Sequence, residues 1–253
     1  MFDKWFTSTS HRGGRVSVLR EIEGGRESIH DDLVSIVADH LVDLSVIEQL
    51  GGFEECHDFI VNRMPTTKRA RSGDLGEILA TEYIESETDY TVPVRRLRYK
   101  DDRNNAMRGD DVIGVAKNGD KTRVLKTEAK SRVTLSDSVL QEARAGLKKN
   151  KGRPNPGTLA FIQYILAKED RMDEVALFKQ LQDSNTLSDN DVEHLLFTLT
   201  GNDPTSYVIK SQNARKIMGI NLRVAGLMVD GHVKFVEQTF NDCLTLGTAD
   251  GDT

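Results

Sequence analysis

The stretch between residues 111 and 130 constrains this chain more than any other. Asp111 opens the apolar run Asp111-Val112-Ile113-Gly114-Val115, Asn118-Gly119 follows, and the segment from Arg123 then carries Glu128-Ala129-Lys130. Asn-Gly between alternating segments specifies a tight hairpin with a type I′ turn. With Asn118 and Gly119 as the two loop residues, Lys117 pairs with Asp120 and Asp111 lies opposite Lys126. Opposed residues share a sheet face, and faces alternate with period two. Asp111 therefore falls on the face of Lys126, Glu128 and Lys130, while Asp110 points the other way. A one-residue slip would exchange the two aspartates.

The second strand divides in the same sense. Leu125, Thr127, Ala129 and Val133 form a face suited to burial, and Val124, Lys126, Glu128, Lys130 and Arg132 form one polar enough to line a cleft. Two carboxylates beside a lysine suit phosphodiester hydrolysis. That reaction needs an activated water, charge relief at phosphorus and a stabilised leaving oxygen, tasks in which Mg²⁺ (or Mn²⁺) serves. Asp111 and Glu128 offer hard carboxylate oxygens, the Ala129 carbonyl offers a third, and Lys130 can orient or deprotonate water and steady phosphate charge. Glu-x-Lys alone is a common salt-bridged strand surface; Asp111 in a compatible register is what makes it informative.

Upstream, Ser72 is a suitable N-cap for a helix over about 72–86, with Asp74 in its first turn. Leu75, Ile78, Leu79 and Tyr83 make one stripe and Gly73, Glu77, Ala80 and Ile84 a second. Such a helix packs on two sides and leaves Glu77 partly buried, where an unpaired charge is costly.

Gly76-Glu77 on a helix, then Gly109-Asp110-Asp111-Val112-Ile113, then Glu128-Ala129-Lys130, stand in the order of the PD-(D/E)xK nucleases. Over about residues 65–240 the chain resembles the HamA nuclease subunits of Hachiman anti-phage systems. The resemblance implies an α/β fold with a restriction-endonuclease-like core, a mixed central sheet flanked by helices. It implies DNA cleavage with Glu77 as the helical acid, Asp111 and Glu128 as metal ligands and Lys130 as the catalytic lysine. It also implies a partner, a HamB-like superfamily-2 helicase. No Gly-x4-Gly-Lys-Ser/Thr motif occurs here, so an ATP-driven step would belong to another chain. No proline precedes Asp111, a departure from the superfamily pattern. The alternative is a catalytically inactive DNA-binding or helicase-regulating subunit that retains the fold.

Charge distribution agrees with a DNA partner. The net charge is -6. Residues 63–153 nonetheless hold 21 basic and 14 acidic side chains, and local positive surface matters more for phosphate binding than the total. Arg95, Arg96, Arg98 and Lys100 can track phosphates or stand as exposed edge-strand charges, and Lys148, Lys149, Lys151 and Arg153 form a second basic group. Cys56 and Cys243 show neither metal spacing nor a disulfide framework, and no apolar run approaches the ~20 residues needed to span a bilayer. The expectation is a cytoplasmic protein.

A basic connector over 63–71 places a soft boundary between an accessory N-terminal region, 1–65, and a nuclease-like domain, 66–253. Residues 1–30 suit an edge hairpin or a loose extension. The pattern further predicts helices over 31–50 (ended by Gly51-Gly52), 135–149, about 159–166, about 175–181 and, capped by Ser188, about 192–199. It predicts strands near 91–99, at 207–209, over 221–229 and, after an Asp230-Gly231 turn, over 232–236. Residues 246–253 read as frayed.

Overall fold

A computed structural model describes residues 1–49, 56–119, 121–183, 187–214 and 221–246. The Gly51-Gly52 stop and most of the tail expected to fray lie outside those residues. The described chain forms a six-stranded mixed sheet in the order β1-β2-β6-β5-β4-β3, with helices on both faces. The strands are β1 Phe6–His11, β2 Val16–Glu21, β3 Val112–Asn118, β4 Lys121–Arg132, β5 Val192–Thr200 and β6 Leu222–Met228. β1–β2 and β3–β4 are antiparallel hairpins at the two edges, and β2, β6, β5 and β4 run parallel between them. The N-terminal residues thus form the edge hairpin and pair with the central sheet.

The longer helices are α1 His30–Leu41, α2 Lys68–Glu87, α3 Asp137–Lys148, α4 Pro156–Lys168, α5 Met172–Gln182, α6 Thr205–Asn213 and α7 His232–Cys243. One face of the sheet, with Leu125, Leu195, Phe197, Leu199, Ala225 and Leu227, packs on α1, α2 and α7. The other divides in two: Ile113, Val115 and Val124 pack with α4 and α5, and Leu196, Leu222 and Val224 pack with α3 and α6. Among the described residues no helix is long and apolar enough to cross a membrane.

Several expectations are corrected. The predicted helix over 192–199 is the central strand β5, and Ser188 instead caps a 3₁₀ turn, Asp189–Asp191. Val192, Leu195, Leu196 and Leu199 match helical spacing, but the strand is buried on both faces, so it shows no in-out alternation that would mark it as a strand. Residues 207–209 lie in α6, and His232 begins α7. Asp230-Gly231 is no hairpin turn: Gly231, at φ 61°, is the N-cap of α7, whose inner face carries His232, Phe235, Val236, Thr239, Phe240 and Cys243. The segment near 91–99 makes one isolated bridge, Thr91 to Val115, followed by a 3₁₀ turn, Arg96–Tyr99. The helix expected over 31–50 breaks at Val42 and Asp43 and resumes at Leu44–Gln49. α2 begins before Ser72, at Lys68, because Thr67 accepts the Ala70 N–H at 3.2 Å. The last residues of the basic connector are therefore helical.

Candidate active site at the end of the hairpin

The β3–β4 hairpin forms in a register two residues from the expected one. Asn118 pairs with Lys121 and Val112 with Thr127, so Gly119, at φ 61°, leads the turn instead of Asn118. A shift of two preserves parity. The ladder carried one step further sets Asp111 opposite Glu128 instead of Lys126.

Asp111 lies just before β3, where the hairpin ladder ends, and the Ala129 N–H donates to Asp111 Oδ2 at 2.8 Å. That bond brings the first acid to the Glu128-Ala129-Lys130 segment. Lys130 Nζ donates to Glu128 Oε1 at 2.9 Å and lies 3.2 Å from Glu142 Oε1 on α3. In an extended strand a residue's N–H and C=O leave towards the same neighbour, so the Ala129 carbonyl faces the same edge as Asp111. Glu77 arrives from the opposite layer. α2 crosses β4 so closely that a Cβ on Gly76 would stand 3.1 Å from the Ser131 Cβ. Glu77 and Asp111 line one small void of about 10 Å³ with His40, Thr81 and Arg96, room for about one water.

Asp110 is diverted. Its Oδ2 accepts the Asn155 N–H at 2.5 Å, its Oδ1 lies 3.4 Å from Lys126 Nζ, and its own N–H donates to Thr158 Oγ1 at 3.0 Å. The structure therefore brings Asp111 to the Glu128-Ala129-Lys130 segment, sets Glu77 beside Asp111 from α2, and turns Asp110 and Lys126 towards α4.

The electrostatics follow from that crowding. Burial, then the Glu128 carboxylate, push Asp111 up to about 7, against the pull of the Ala129 N–H, Lys130 and Arg96. Burial, then Asp111 and Asp74, raise Glu77 well above the ordinary carboxylate range. Burial draws Lys130 down, but Glu128, Asp111 and Glu142 outweigh it and leave the amine above its usual value. Acids that repel one another around a small void suit a divalent cation, which would offset the repulsion. The donors are hard oxygens, as Mg²⁺ or Mn²⁺ prefers. Among the described residues no three His, Cys, Asp or Glu side chains are drawn together closely enough to hold a metal ion. The oxygens on this segment that could serve such an ion are the Asp111 and Glu128 carboxylates and the Ala129 carbonyl.

The basic run from Arg95 to Lys100 and Gly146 also contribute, in ways not read from the sequence. Arg96 is buried and donates through Nη1 to the carbonyls of Asp110 and Asp111 and through Nη2 to that of Arg108, clamping the approach to β3. Lys100 is buried against Asp74 at 2.9 Å, one helical turn before Glu77. Arg95 and Arg98 pair with Asp39, and Arg98 also with Asp43. This basic run braces the fold rather than lining an edge strand: Lys100 and Arg96 are held inside by Asp74 and backbone carbonyls, and Arg95 and Arg98 pair with the half-buried Asp39. Gly146 of α3 lies against Glu128. A lone glycine inside a helix pattern is a readable sign of close packing, but not of its partner.

A family model described as HamA matches residues 1–243. A curated relative, Hachiman protein HamA of Bacillus cereus, is 30% identical over 151 residues, 58% of this chain and 54% of the relative. The chain thus matches about half the length of that relative.

Proposed function

The chain belongs to the HamA family, and on that premise we propose that it is a metal-dependent deoxyribonuclease of an anti-phage defence system. On this reading the hairpin, β5 and α2 are the working part of a restriction-endonuclease-like core of the PD-(D/E)xK type. The observation that carries the proposal is the 2.8 Å bond from the Ala129 N–H to Asp111 Oδ2, which joins the first acid to Glu128-Ala129-Lys130.

The reading assigns each residue a role. Asp111, Glu128 and the Ala129 carbonyl would hold Mg²⁺ (or Mn²⁺). The bound ion supplies Lewis-acid polarisation of the phosphate and acidifies water beside it. Lys130 acts as a cation. Its amine is held protonated by Glu128, Asp111 and Glu142, so it steadies negative charge gathering on the phosphate oxygens. In the metal-free protein it is poorly suited to be the base, the other role its position allowed. Glu77 borders the same void from α2. It orients water there and adds negative potential that favours the ion. DNA is the substrate on this reading; membership of a Hachiman system points to a HamB partner, which the family resemblance makes a superfamily-2 helicase.

The test incubates the purified chain, with and without the helicase, with plasmid and linear DNA in Mg²⁺. The reading expects cleavage that EDTA abolishes and that Glu128→Ala and Lys130→Ala lose while remaining folded. DNA loss that persists in both variants would reject the site.

A further inference from the structure

The chain from Lys148 to Arg153 leaves α3 through a 3₁₀ turn, Lys149–Gly152, with an uncommon backbone. Asn150 (φ 56°, ψ 37°) and Lys151 (φ 57°, ψ 33°) are both left-handed, and Gly152 follows at φ 82°. Asparagine and glycine tolerate that region; lysine adopts it at a cost. The turn is fastened from beneath by two buried side chains. Lys126, 1% exposed, donates to the carbonyls of Lys149 at 2.9 Å and Arg153 at 3.0 Å. His194, 4% exposed, bonds through Nε2 to the Gly152 carbonyl at 2.8 Å. Asp110 balances the Lys126 charge and accepts the next N–H, that of Asn155. An apolar residue at 126 would fill the core more cheaply than a buried cation. What a lysine adds is a fixed shape for the turn.

That shape presents Lys148, Lys149 and Lys151 to solvent. Among the described residues none of the three is in an ion pair, whereas neighbouring Arg153 pairs with Asp189. The negative end of α3 accounts for Lys148. It does not account for Lys151, which lies beyond the reversal. The turn is also close to the acids. A Cβ on Gly146 would touch the Glu128 carboxylate, and Lys149 follows three residues later, about 5 Å at helical rise.

We propose that this turn is a preformed grip for the DNA sugar-phosphate backbone beside the scissile position, with Lys148, Lys149 and Lys151 as its phosphate contacts and Lys126 as the positioning residue that fixes it. The proposal rests on the nuclease reading above. A cation held in place loses less freedom on meeting a phosphate than one on a mobile loop. Contacts of this kind add affinity without sequence preference.

The test measures binding of a short fluorescent DNA duplex, with Ca²⁺ replacing Mg²⁺, across a range of salt concentrations. The double variant Lys149→Gln, Lys151→Asn is an exposed change, and Asn suits the left-handed position. Its slope of log affinity against log salt should be shallower than wild type by about two. Lys179→Gln, an exposed lysine on α5, should leave the slope unchanged. Lys126→Met, if circular dichroism shows it folded, should also weaken binding although it exposes no new surface. A double variant with wild-type affinity and slope, in a protein that still binds DNA and cuts it in Mg²⁺, would overturn the turn assignment alone. Wild-type protein without DNA affinity would overturn the nuclease reading and this proposal with it.

Discussion

Gly146 leaves no room for a side chain beside Glu128: a Cβ built on it would stand 2.5 Å from Glu128 Oε2 and 2.8 Å from Oε1. The helix would otherwise favour alanine here by about 1 kcal/mol. The glycine is explained by the carboxylate beneath it. Gly146→Ala should keep the fold and push Glu128 away from Asp111. Misplacing a reacting group by about 1 Å can cost on the order of 100-fold in rate. Steady-state DNA cleavage should fall by roughly that factor with unchanged circular dichroism. Wild-type turnover in the variant would show that Glu128 need not stay where it is.

Glu77 should make the metal-free protein less stable than it could be. Burial, Asp111 and Asp74 raise its pKa. A carboxyl raised in the folded state contributes stability at low pH and loses it as pH rises through the folded value. Glu77→Gln should therefore melt higher than wild type at pH 8 in EDTA, by on the order of 2–4 °C per kcal/mol recovered in a protein of this size. The gain should shrink as pH falls and vanish below about 4, where the acid is neutral folded and unfolded, and DNA cleavage should be lost. A lower melting temperature at pH 8 would contradict the strain assigned to the acid cluster.

Asp74 and Lys100 form a buried pair, and burial lifts Asp74 to about 6 although Lys100 pulls it down. Lys100→Met leaves the carboxylate without its cation, a loss of about 3–5 kcal/mol where the acid is ionised. The sign is again that of a raised carboxyl. Below about 4, the ordinary aspartate range, the acid is neutral in both folded and unfolded states. The penalty then grows as pH rises through 6 and beyond. Urea midpoints should show a larger deficit for the variant at pH 8 than at pH 5. Equal deficits would place the stabilising role of Lys100 outside its charge.

On the proposed reading an unrestrained nuclease would damage its own genome, and the proposed helicase partner is expected to restrain it. The isolated chain should degrade linear DNA faster than an equimolar mixture with the helicase before any trigger is added. Equal rates would remove the partner from that role.

The hairpin and its acids were legible because parity is robust. The turn formed one residue later than expected, which moves the register by two, yet Asp111 still reached the Glu128 segment, since only an odd register slip reverses faces. The strand β5 was not legible, because a strand buried on both faces lacks the alternation that separates it from a helix. α7 was missed because Gly231 at positive φ serves a helix start as readily as a hairpin. Arg96 and Lys100 looked like surface charges in a basic run. Only the fold shows that backbone carbonyls and Asp74 meet them inside. The role of Gly146 depends on the crossing of α3 over β4, which local sequence does not encode.

The most direct test follows nicking of supercoiled plasmid as Mg²⁺ is titrated into metal-free protein, comparing wild type with Asp111→Asn. Wild type should cut with a saturable dependence on Mg²⁺. The variant should lose at least about 100-fold in rate at saturating ion, the order expected when one group that stabilises the transition state is removed. Undiminished, Mg²⁺-dependent nicking by a folded Asp111→Asn protein would contradict the assignment of this hairpin as the place where the ion is held and DNA is cut.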